Sequence, residues 1–162
     1  MLGSLSEFFG LEASLEVASS VLRATRLEEF APHLASSIGA TFAWDLARVW
    51  NVDNDRVVRP IASWELAPGP GIEVTQFAHL AREVVDTRRN RWVTELPERD
   101  VSSGLWVEIA SDEQVLGVLE LLSRSPRDRD ERLVHTVGAI GREIGKFLAT
   151  RDAERVFLEQ ER

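Results

Sequence analysis

The residues able to do chemistry are few. The chain offers three histidines (His33, His79 and His135), two glutamates on what read as facing strands (Glu108 and Glu120), and five tryptophans. It has no cysteine, which removes disulfides, thiolate nucleophiles, Cys-ligated zinc and thioether-linked chromophores. Glu108 and Glu120 can be read as a carboxylate pair for general acid–base work. The more economical reading gives Glu120, which interrupts an apolar strand, an ion pair or hydrogen bond. Arg48 is the candidate partner, because burying an unpaired carboxylate is costly. No Ser/His/Asp set stands at a recognisable spacing. All three histidines fall on expected helices. His79 flanks an apolar stripe and is the best placed to reach a ligand, against the plainer role of a partly exposed helix residue. The expectation is a domain that is not an enzyme, with no catalytic residues, no metal ligands and no cofactor.

A hairpin from Ser103 to Leu122 has to position these groups. Leu105, Val107 and Ile109 alternate with Trp106, Glu108 and Ala110, the period of two of a pleated strand. Ser111–Gln114 is a short polar turn. The returning strand is apolar on both faces, which predicts a central place in a sheet covered on each side. Two further strands are expected over about 43–52 and 56–65, joined by a turn at Asn51–Asp55. Arg91–Thr94 reads as a short edge strand.

Helical spacing accounts for much of the rest. Phe8, Leu11, Leu15, Ala18 and Leu22 recur three and four apart, a coiled-coil-like seam. Thr25-x-x-Glu28 reads as a capping box opening a second helix with the stripe Leu27, Phe30, Ala31, Leu34 and Ile38, kinked or weakened at Pro32 and stopped at Gly39. A loop over 66–71 leads to a helix with the stripe Val74, Phe77, Ala78, Ala81, Val84 and Val85, and Arg88, Arg89 and Arg91 complement the dipole at its end. Asp128-x-x-Glu131 announces a last, long helix. There Leu133, Val137, Ile140, Ile144 and Phe147 continue the three–four spacing. Gly138, Gly141 and Gly145 line a neighbouring stripe. Each glycine inside a helix costs about 1 kcal/mol against alanine, so three together imply close approach to another backbone, either the sheet or a partner helix.

The chain's 162 residues suit one domain. Apolar runs fall short of the roughly 20 residues a membrane helix needs, the first ten residues lack the basic start of a signal peptide, and the expectation is a cytoplasmic protein with no membrane partner. A formal net charge of −8 repels phosphate backbones, so no nucleic-acid partner is expected.

Three stretches then carry a family resemblance: Phe42-Ala-Trp-Asp-Leu-Ala-Arg-Val-Trp-Asn-Val-Asp53, Val115-Leu-Gly-Val-Leu-Glu-Leu121 and Ile140-Gly-Arg-Glu-Ile-Gly-Lys-Phe147. With the order of elements they resemble the GAF domain of bacterial signalling proteins. The resemblance implies an α+β fold, an antiparallel sheet of five or six strands with helices on both faces and long terminal helices. It divides the chain into an N-terminal extension (1–13), a GAF-like domain (14–150) and the start of a signalling linker helix (151–162). It implies a sensory or regulatory homodimer joined through Leu11, Leu15, Leu22, Leu133, Val137, Ile140, Ile144 and Phe147. An output module of histidine kinase or diguanylate cyclase type would be coupled in the same or another chain. A small apolar or amphipathic ligand would lie beside Trp64, Phe77 and Trp106, with His79 and Glu108 within reach. The alternative is a degenerate GAF-like dimerisation domain with no ligand. The segment Pro97–Ser103 is short for the lid of a ligand pocket, and the family's Gly-rich entry to the preceding helix is reduced to Pro-Gly-Pro-Gly at 68–71.

Overall fold

The computed structural model describes residues 26–67, 76–97 and 100–160. In chain order the elements are α1 (Leu27–Thr41), β1 (Leu46–Val52), β2 (Val58–Glu65), α2 (Ala78–Thr87), β3 (Arg91–Val93), β4 (Ser103–Ala110), β5 (Val115–Ser123) and α3 (Glu131–Gln160). The five strands form one sheet in the order β2-β1-β5-β4-β3, antiparallel throughout. The doubly apolar β5 takes the central place. Gly117, Leu119 and Leu121 face one side of it and Val118, Glu120 and Leu122 the other. The fold is therefore α+β, with helices on both faces.

The first face carries α1 and α3. Phe30, Leu34 and Ile38 of α1 and Val137, Ile140 and Ile144 of α3 close over Val49, Leu105, Val107, Ile109, Leu119 and Leu121. The second face carries α2, whose Leu80, Ala81, Val84 and Val85 pack with Phe77 on Leu46, Trp50, Trp106, Val118 and Leu122.

Several local expectations change. Helix α1 begins with Arg26 at its N-cap and no side-chain cap bond, and Thr25 lies outside the described residues. Gly39 does not stop α1, which runs on to Thr41. Glycine is required at that position because the Trp64 ring lies where a Cβ would stand. The stop comes at Ala43, whose φ of 56° breaks the helical path, while Trp44 N–H returns to Gly39 C=O at 2.9 Å. This turn also delays β1 to Leu46. Helix α3 is capped by Asp130, which accepts from Leu133 N–H at 3.2 Å, not by Asp128. It runs without interruption past residue 150.

The seam of α3 is also reassigned. Leu133, Val137, Ile140 and Ile144 are at most 8% exposed and lie on this chain's own sheet, with Phe147 half-buried against the same core. They seat the helix on its own sheet. Leu11, Leu15 and Leu22 lie outside the described residues. The glycine stripe explains the close seat: a Cβ at Gly141 would run into the Glu108 carbonyl, and one at Gly145 into the Ala110 backbone.

Candidate functional site

The α2 face holds the one strongly polar centre of the core among the described residues. Cross-strand register fixes it: Arg48 of β1 stands opposite Glu120 of β5, which stands opposite Trp106 of β4. On its other flank Arg48 is opposite Ser63 of β2. Side chains directly opposite on one face lie within bonding reach, and all three contacts form. Arg48 Nη1 donates to Glu120 Oε2 at 2.7 Å, Trp106 Nε1 donates to Glu120 Oε1 at 2.9 Å, and Arg48 Nε donates to Ser63 Oγ at 3.2 Å. The buried indole N–H of Trp50, on the same face, makes no hydrogen bond.

Glu120 is fully buried. Burial raises its carboxyl above the ordinary value, and the charge of Arg48, then the Trp106 hydrogen bond, pull it part of the way back. Both carboxylate oxygens are engaged and screened from water, so the pair, with Trp106 and Ser63, ties four strands together and offers no accessible base.

Aromatic packing closes the space above. Phe77 and Trp106 rings sit 5.8 Å apart at 58°, a tilted contact. Trp50, Phe77 and Trp106 are each no more than 1% exposed. The face is filled by the protein's own side chains where they are described.

Of the five residues assigned to a ligand, the fold joins only Phe77 and Trp106. Trp64 lies on the opposite face, against Gly39 of α1. The cause is a bulge: Trp50 pairs with Pro60 but Val49 pairs with Ala62, so Ile61 is extra and every later side chain of β2 changes face. His79 is exposed on α2. Glu108 sits at the far end of β4, bonded by Arg88 Nε at 2.7 Å. A pocket shared by Trp64, Phe77 and Trp106 is therefore not what this fold builds.

Arg88 is a residue that sequence reasoning placed only as a dipole partner. It ends α2 at a left-handed φ of 57°, and its Nη2 donates to Ser111 C=O at 2.7 Å. It thus joins the end of α2 to the β4–β5 turn. It also lines a groove of about 530 Å³ bordered by Leu27, Val52, Val85 and Leu148. The rim cations of that groove are already paired: Arg26 with Glu28, Arg56 with Asp86, and Arg88 with Glu108. Among the described residues no group of acidic or histidine side chains is arranged to hold a metal, and no helix is long and apolar enough to cross a membrane.

No family model and no curated protein matches the chain. Solved structures do. The GAF domain of a phosphoenolpyruvate-protein phosphotransferase from Coxiella burnetii aligns at a TM-score of 0.68 and 12% identity, over 96% of this chain and 98% of that one. A methyl-accepting chemotaxis protein, residues 122 to 287, aligns at 0.67 and 13%, over 85% and 97%. Free methionine-R-sulfoxide reductase from Neisseria meningitidis aligns at 0.62 and 18%, over 88% and 90%. At these identities the likeness is one of architecture: the chain has the fold of a GAF domain.

Proposed function

We propose that this chain is a regulatory domain of a signal-transduction protein. It works as a homodimer joined by its terminal helices and passes its state along α3 to an output module of histidine kinase or diguanylate cyclase type. The observation that carries this reading is the shape of α3. Its 30 residues span roughly 45 Å at 1.5 Å per residue, yet the buried positions end at Leu148. The remaining turns run on with three successive apolar residues, Val156, Phe157 and Leu158, exposed at 40%, 59% and 61%, side chains that a partner helix would cover. Similar folds in a phosphotransferase and a chemotaxis protein support the signalling role.

The proposed contact between chains thus moves from the Leu133–Phe147 seam to the end of α3, with Leu11, Leu15 and Leu22 as the proposed N-terminal contribution. Light scattering on the whole chain tests it: a dimer is expected, and a monomer overturns it.

A narrower reading, favoured by the filled α2 face, is that the domain couples and dimerises without a small-molecule ligand. Either way the domain is read as non-catalytic. A reductase shares the fold, so the fold alone does not separate the two. What supports the reading is the absence of cysteine from the chain and the fully engaged carboxylate at its polar centre.

A further inference from the structure

The connector between β5 and α3, residues 124–130, is bonded on one side to the segment that leads into β4 and to Ser103, the first residue of that strand. Ser102 Oγ donates to Arg124 C=O at 3.0 Å, Ser103 Oγ donates to Ser125 C=O at 3.2 Å, and Arg124 Nη1 donates to Asp100 C=O at 3.4 Å. Between these bonded residues lies Val101, which is 1% exposed and packs in the α2-face core with Trp106 and Phe77. The connector therefore grips a segment that is seated on the α2 face through Val101 and tied by Ser102 to Ser123 and Leu96.

Its other side is fixed to the corner where α1 turns into β1. The Arg127 guanidinium lies 4.1 Å from the Trp44 ring centroid, a cation–π contact. It donates to the carbonyls of Phe42 and Ala43 at 3.3 and 3.1 Å, next to the left-handed turn at Ala43. Arg127 C=O in turn accepts from Trp92 Nε1 of β3 at 3.1 Å, and the Trp44 and Trp92 rings are 5.4 Å apart. Arg124 N–H donates to Asp45 at 2.8 Å. Three residues after Arg127, Asp130 caps α3.

We infer that this connector is a latch, through which the segment 100–103 and the first turns of α3 open and close as one cooperative unit. A rearrangement of the α2 face that displaces Val101 pulls on Asp100 and Ser102, and their bonded partner Arg124 leads through Arg127 to the cap of α3. Opening this unit frays the end of the β4–β5 ladder, where Ser102 N–H donates to Ser123 C=O at 2.8 Å and Ser103 pairs with Ser123; the rest of the sheet, held by its own ladders, need not move. The latch lies within one chain and stands whether or not two chains associate.

Native-state amide hydrogen exchange on the full chain tests it. In Arg127→Gln the amides of 102–103 and of 133–137 should both exchange about ten-fold faster or more, with Val49 and Leu119 unchanged. Trp92→Phe, which keeps an aromatic side chain but loses the donor to Arg127 C=O and part of the indole beside Trp44, should accelerate the same two groups by a smaller factor and guards against a misfolded first variant. Arg129→Gln, altering the exposed pair with Glu131, should accelerate neither. Acceleration at one group alone, at neither, or uniformly across the sheet in both latch variants would overturn the latch.

Discussion

Arg48 and Glu120 meet across the β1–β5 ladder at 2.7 Å, with the arginine side chain 6% exposed and the glutamate 0%. Two buried opposite charges on neighbouring strands contribute less net stability than their closeness suggests, since both lost their water. Removing one of them is another matter. Glu120→Ala leaves a buried guanidinium with no counter-charge and should destabilise the domain by about 3–5 kcal/mol. The double change Arg48→Met with Glu120→Leu should recover most of that loss. Urea denaturation of both variants checks it, and equal losses in the two would show that the ion pair is not the source.

The same carboxylate predicts a pH dependence. Its folded-state pKa is raised above the ordinary 4.5, so between that value and the folded one the native protein binds the proton that the unfolded chain releases. Stability from this group is present below about pH 4.5 and falls as pH rises through the folded value. Relative to Glu120→Gln, the unmodified protein should therefore lose stability as pH is raised from 4.5. Denaturation midpoints of both proteins at a series of pH values measure this. A relative gain with rising pH would mean that Arg48 outweighs burial.

Helix α3 lies too close to β4 for side chains at two of its glycines. An alanine in a helix is normally worth about 1 kcal/mol over glycine. Here Gly141→Ala and Gly145→Ala should instead each cost about 1–3 kcal/mol, because backbone must move. Gly138→Ala meets only the Asn90 side-chain amide and should be tolerated better. Thermal melts of the three variants rank them.

The filled α2 face carries its own test. Trp106→Ala removes a fully buried ring and should cost about 3–5 kcal/mol. Free indole, able to restore the ring and the donor to Glu120, should raise the melting temperature of this variant and leave the unmodified protein unchanged. A shift in the unmodified protein would show that the face has room for a ligand.

How far these features could be read from the amino-acid sequence depends on what kind of signal each one leaves. The hairpin was legible because alternation and a short polar turn are local. The Arg48–Glu120 pair was legible because a lone carboxylate in an apolar strand demands a partner. Trp64 was not placed, since one extra residue at Ile61 reverses the face of all that follow, and nothing in the period of two announces it. The α3 seam shows the limit of helical spacing: three–four periodicity says that a stripe is buried, not whether the chain's own sheet or another chain buries it. Likewise the glycines asked for a near backbone without naming β4. The latch at Arg127 depends on residues 83–85 positions away in sequence and leaves no local signature at all.

The proposed homodimer is joined by the exposed end of α3. Multi-angle light scattering of the unmodified chain beside Phe157→Glu/Leu158→Glu tests it most directly. A dimer that becomes a folded monomer in the variant is the predicted result; an unmodified protein of monomer mass, or a variant that stays dimeric, would contradict it.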